Sequence, residues 1–218
     1  MDGGAIRGAS MSISDYLDAV FLDIETTGVD PRYSELTLIA LYEEREGKRA
    51  SLYVNDLHGA VETLAPLVSW AQQYGYEQMS IHPLEQFVEY APFLHRVATY
   101  NGGRFDLPFI AHHLPQVREV IKRWWHLDIY TQVALPLRDL GVLRTPNLQL
   151  KTLFTYLRIP RLSDVTCMRG DDAVRLWNHW KHLYDSEALR TLCLYALEDV
   201  RGTRLLLERL IDLRQGGL

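Results

Sequence analysis

The chain has 218 residues, 47% of them hydrophobic and 23% charged, ordinary values for one globular domain that buries its own core without staples. Its two cysteines lack a C-x-x-C spacing, which excludes a disulfide framework or thiolate zinc site and suits a reducing interior. No apolar run approaches the ~20 residues that cross a bilayer, and the net charge of −5 argues against a protein that coats nucleic acid by bulk electrostatics.

The opening MDGGAIRGASMSISD has no hydrophobic block to act as a secretion signal. Residues 1–15 read as a flexible tail, with Met11 an alternative start, ahead of a single domain over 16–218; a cytoplasmic location is expected. Three extended segments follow, Ala19–Thr26, Leu36–Tyr42 and Arg49–Val54, the last two bridged by the charged turn EEREGK. Helical patterns cover Ala60–Tyr74 and Leu84–Arg96. Val97–Tyr100 reads as a short strand closed by Asn101-Gly102-Gly103. Pro108 sits where a helix opens, and WWHLDIY supplies another strand. Helices then span Leu148–Leu157, Ala173–His182 and Ser186–Arg214. Strands interleaved with helices predict an α/β fold, a mixed central sheet flanked by helices.

The segment AVFLDIETTG carries two acids in an apolar strand, where carboxylates are costly unless something pairs with them. Residues two apart share a strand face, so Asp23 and Glu25 project together while Leu22 and Ile24 point into the core. The last helix repeats the pattern. Its apolar stripe, Leu192, Ala196, Thr203, Leu206 and Leu210, includes Asp199, with Tyr195 one turn earlier on the same side. Asp106 follows the turn YNGGRFD. Four carboxylates sharing a pocket cannot all ionise unless cations join them, and hard oxygen ligands in that number suit Mg²⁺ or Mn²⁺ rather than zinc. Two such ions are the usual device for displacement at phosphorus.

FLDIETTG, YNGGRFDLPFI and YALEDVRGT resemble the three ordered motifs of the DEDD 3′–5′ exonucleases, in the DnaQ-like branch of the ribonuclease-H-like fold. The tyrosine at Tyr195, four before Asp199, matches the DEDDy subclass; the histidine subclass would need histidine at position 194, where leucine stands. LQLKTLFTYLRIPR and DAVRLWNHW are similar to the YprB-like predicted exonucleases. The resemblance runs from about Ala19 to Leu213, leaving Asp56–Met79 particular to this chain. It implies a metal-dependent enzyme releasing nucleoside 5′-monophosphates from single-stranded 3′ ends, with DNA favoured over RNA. Asp23, Glu25, Asp106 and Asp199 would hold two Mg²⁺ or Mn²⁺ ions, and Tyr195 would orient the attacking water. Thr26, Thr27, Asn101 and Phe105 would contact the terminal nucleotide. The alternatives are an RNA-processing or RNase-H-like nuclease, and a non-catalytic binding module on the same fold.

Other features weigh less. Asp106 could be only a helix N-cap, and Tyr195 only a core aromatic. Asp128 reads as a structural or orienting carboxylate rather than a fifth ligand. His112, His113, His179 and His182 lack a third ligand at a zinc-like spacing. Trp124 and Trp125 read as core rather than as a base-stacking platform. Residues 118–161 hold eight basic and three acidic side chains, against six and fifteen in residues 1–99. That basic stretch is expected either as a solvated face or as a track, including Lys122 and Arg123, that leads a single strand in.

Overall fold

The computed structural model describes residues 12–57, 64–161 and 163–216. Most of the expected tail, with Met11, lies outside those residues, as does the start of the helix expected from Ala60. Residues Ile13–Asp18 form a 3₁₀ turn whose Tyr16 is buried, so the chain packs against the core before the first strand begins.

Six strands form one mixed sheet: β1 (Val20–Thr26), β2 (Leu36–Glu43), β3 (Arg49–Val54), β4 (Gln78–Pro83), β5 (Arg96–Thr99) and β6 (Trp125–Asp128), in the order β4-β3-β2-β1-β5-β6. β2 runs antiparallel to both β1 and β3; the β3–β4, β1–β5 and β5–β6 pairings are parallel. The C-terminal ends of β1, β5 and β6 therefore meet at one edge, and their N-terminal ends at the opposite one.

Strand alternation sorts the core into two halves. Phe21, Leu38, Ala40, Leu52 and Val54 face one layer, and Leu22, Ile24, Ile39, Leu41 and Tyr53 face the other. The first layer holds α1 (Ala65–Gln73) and five later helices. The second is built from α2 (Phe87–Tyr90), α3 (Asp106–His113) and α4 (Arg118–Ile121). After β6 the chain passes through a π turn into α5 (Leu135–Asp139), α6 (Leu150–Tyr156) and α7 (Ser163–Thr166). It ends in α8 (Gly170–Leu183) and the long α9 (Ser186–Arg214), which lies across β1 and β2. Asp185 caps α9 by accepting the Glu187 and Ala188 N–H groups, after Tyr184 turns the chain in the left-handed region at φ 54°.

Three expectations change. β4 was not expected: the alternation in QMSIHP covers only two apolar residues, Met79 and Ile81, which pack against the first layer without being fully buried at this sheet edge. The helix expected over Leu84–Arg96 breaks into a 3₁₀ turn, α2 and a second 3₁₀ turn, because Pro92 cannot donate to the preceding turn. Of the paired tryptophans only Trp124 is core; Trp125 stays half exposed at the start of β6. Among the described residues no helix is long and apolar enough to cross a membrane.

Gly202 marks where α9 meets α6. A Cβ there would lie 2.6 Å from the tip of the Phe154 ring. Alanine favours a helix over glycine by ~1 kcal/mol, but overpacking a core costs about 1–3 kcal/mol. Gly202→Ala should therefore lower the urea midpoint, and adding Phe154→Leu should recover much of the loss.

Candidate active site

The edge where β1, β5 and β6 end is where the acids gather. Asp23 and Glu25 share the β1 face with Phe21, toward α9, as their spacing requires. Asp199 comes down from α9 onto them, and carboxylate oxygens of Asp23, Glu25 and Asp199 all lie within 4.8 Å of one another. Glu25 and Asp199 are buried, while Asp23 is partly open to a cavity of about 980 Å³ that all three line with Lys151 and Tyr195.

Asp106 reaches the cluster from β5. Phe105 occupies the N-cap position and Asp106 is the first helical residue of α3. Pairing of β1 with β5 stops at Phe21, which leaves the Ile24 N–H free beyond it, and the Asp106 carboxylate accepts that N–H. The turn between is tightly made. Asn101 takes a left-handed φ of 63°, and a Cβ on Gly102 would fall 2.4 Å from the Thr99 hydroxyl and 2.9 Å from Asp106 Oδ2. Asp128, at the end of β6, accepts the N–H groups of Asn101 at 3.0 Å, Gly103 at 3.1 Å and Tyr130 at 3.1 Å. It anchors the turn that presents Asp106.

Burial pushes all four carboxyls up, and the neighbouring acids push Asp23 and Glu25 further. Burial dominates for Asp23, followed by the charges of Asp106, Glu25 and Asp199. Glu25 rises through burial and Asp199, opposed by Lys151. Asp106 is raised by burial to about 7. Asp199 also rises through burial, held back by Arg161 and Lys151. Such a donor set, all hard oxygens and short of counter-charge, is the kind that takes a divalent cation.

Two cations from the basic segment sit inside this site, and sequence reading missed both. Lys151 of α6 donates to the Tyr195 hydroxyl at 2.8 Å and to the Met168 carbonyl. Burial pushes its ammonium pKa down, against the upward pull of Asp199. The Arg161 guanidinium, 5% exposed, lies 2.5 Å from Asp199 Oδ1 and over the Phe154 and Tyr195 rings. Their signal was available only as one basic residue in the first turn of an apolar helix and another just past its end. Tyr195 also hydrogen-bonds Asp199 one turn below, and burial raises its phenol pKa well above the ordinary value.

The remaining expected residues are placed differently. Thr26 donates to the Gly28 carbonyl at 2.7 Å and Thr27 accepts the Glu35 N–H at 2.8 Å, so both hydroxyls shape the loop after β1. Phe105 packs against Phe109 and the second core layer. Asn101 lines an adjoining cavity. Lys122 pairs with Glu119 at 2.6 Å, and Arg123 donates to the Glu119 carbonyl. They precede β6, at the edge of the sheet opposite the acids.

A family model described as RNase_H superfamily matches residues 20–211. No curated protein matches the chain. Among solved structures, the family B DNA polymerase from the hyperthermophilic archaeon Pyrobaculum calidifontis is similar at 16% identity and a TM-score of 0.56, over 89% of this chain and 24% of the polymerase. The chain thus spans about a quarter of that protein. A structure described as the apo form of a nuclease is similar at 17% identity and a TM-score of 0.50, over 94% of this chain and 78% of the other. At these identities the likeness is one of fold.

An acid whose pKa is higher folded than unfolded favours the fold when protonated, so its contribution is lost as pH rises from its unfolded value toward its folded one. For Asp106 that window runs from 3.8 to about 7. In EDTA the melting temperature should fall between pH 5 and 8, Asp106→Asn should flatten the decline, and Mg²⁺ or Mn²⁺ should restore stability most at pH 8.

Proposed function

The chain belongs to the RNase_H superfamily, and from that premise we propose that it is a metal-dependent 3′–5′ exonuclease of the DEDDy type, close to the YprB-like group. Its substrate is a single strand, DNA in preference to RNA, and its product a nucleoside 5′-monophosphate. Residues 16–218 act as one exonuclease domain. The observation that carries this reading is the convergence of three carboxylates within 4.8 Å, with Asp106 beside Asp23 and the Tyr195 hydroxyl on Asp199.

The donor set fits hard divalent cations, since burial and mutual repulsion leave these carboxyls poorly ionised without added positive charge. Asp23, Glu25 and Asp199 would hold one ion, and Asp23 with Asp106 the second. Bound Mg²⁺ or Mn²⁺ would supply Lewis acidity that makes hydroxide available near neutral pH and offsets charge on the departing 3′-oxygen.

The chain's own residues do the positioning. Because Lys151 donates to the Tyr195 oxygen, the phenol's own proton is directed outward, to Asp199 or to a water placed beside it. The raised phenol pKa keeps that proton in place at neutral pH. Lys151 and Arg161 partly neutralise Asp199 and Glu25, and Asp128 keeps Asp106 in register through its turn.

A gel time course on 5′-labelled single-stranded DNA and RNA of equal sequence tests the reading. A ladder shortening from the 3′ end is expected in Mg²⁺ or Mn²⁺, faster on DNA, and abolished by EDTA or by Asp106→Ala. Tyr195→Phe should retain the ladder with kcat lowered on the order of 10²-fold, the lower end for a positioned proton-bearing group. Intact substrate under every metal would refute the exonuclease and favour a binding module.

A further inference from the structure

Beside the carboxylate cavity lies a second one of about 640 Å³, and Gln149 and Leu150 line both. Their chemistry is opposite. No carboxylate lines the second cavity, whereas Arg104, in the turn before Asp106, and Arg138, on α5, both do. Both guanidiniums are exposed, and among the described residues neither has a carboxylate or hydrogen-bond partner. Tyr100 and Tyr130 form another wall, their rings edge to face at 5.7 Å, with the Tyr100 hydroxyl donating to the Leu148 carbonyl. The rest of the 118–161 basic stretch is engaged elsewhere or stands off this cavity: Lys122 pairs at the far edge, and Lys151 and Arg161 are held among the acids.

An anionic strand brought to four clustered carboxylates is repelled by them unless cations beyond the cluster hold it. Two unpartnered arginines on separate walls, next to an aromatic surface, match a backbone that carries one charge per phosphate and flat bases between. Resting on the nuclease reading above, we propose that this cavity is the phosphate-binding channel for the single strand on the 5′ side of the bond to be cut, gripped by Arg104 and Arg138. Lys122 and Arg123 take no part, because they lie at the other edge of the sheet.

The test is equilibrium binding of a 5′-fluorescein single-stranded oligonucleotide in EDTA, across a salt series. It compares the full chain with Arg104→Ala/Arg138→Ala and with Lys122→Ala/Arg123→Ala. A methylphosphonate oligonucleotide of the same sequence serves as the uncharged probe, and melting temperature verifies folding. If each arginine meets one phosphate, the arginine variant should bind roughly tenfold more weakly in low salt and its salt slope should shrink by about 1.4, at ~0.7 per phosphate on a single strand. The effect should vanish on the methylphosphonate, and the lysine variant should match the parent. An unchanged slope, an equal loss on the uncharged probe, a loss in the Lys122/Arg123 variant instead, or no binding by the parent would each overturn the channel. Binding is read without metal, so salt-dependent binding that maps to the arginines in a chain that never hydrolyses the strand would sink the exonuclease and leave the channel standing.

Discussion

Mutual repulsion among Asp23, Glu25, Asp106 and Asp199 is the constraint on which the rest of this molecule depends. Four carboxyls mostly out of water at one sheet edge have raised pKa values, through burial first and, for Asp23 and Glu25, through the charges of the others, and nothing in an ordinary core would tolerate them. The chain offsets part of that cost with its own groups. The Ile24 N–H goes to Asp106, the Arg161 guanidinium to Asp199, and the Lys151 ammonium to Tyr195 beside them. What remains uncompensated is the capacity to bind divalent cations. Stability and the proposed chemistry are thus linked through one electrostatic imbalance.

The surrounding frame is rigid where that imbalance needs it to be. Asp106 reaches β1 only because β5 ends early and its turn curls back through Asn101 and Gly102, a path that leaves no room for a Cβ at position 102. Asp128 holds this turn by its backbone from the neighbouring strand. On the other side α9 is pressed onto β1 and β2, and its approach to α6 depends on Gly202 under the Phe154 ring. The same ring lies beneath Arg161, so helix packing and the charge on Asp199 share one support.

Charge is also sorted along the molecule. The acidic cavity and the arginine-lined one adjoin at the edge where β1, β5 and β6 finish, while Lys122, Arg123 and Trp125 sit where β6 begins. A basic run in sequence is therefore not a basic track in space. Six of the eight cations of residues 118–161 are divided between a surface helix and the turn after it (Arg118, Lys122, Arg123), the interior of the acid cluster (Lys151, Arg161) and the wall of the neighbouring cavity (Arg138), and each location gives them different work.

Sequence by itself determined the parts that follow from local periodicity and composition. The strand spacing of Asp23 and Glu25, the helical spacing of Tyr195 and Asp199, the sheet-and-helix class and the long last helix, placed at Ser186–Arg214 in the structure as in the sequence, were all legible because period and capping are short-range properties. Tertiary structure alone decided what depends on strand order. It set which edge the acids share, that Asp106 begins α3 rather than capping it, that Thr26 and Thr27 spend their hydroxyls on their own loop, and that Lys151 and Arg161 turn inward while Lys122 and Arg123 do not. Edge strand β4 escaped notice because its alternation spans only two apolar residues, Met79 and Ile81, too short a pattern to mark a strand by itself. The two cationic partners of the acid cluster escaped because a charge meets its counter-charge across the fold, where sequence distance carries no information.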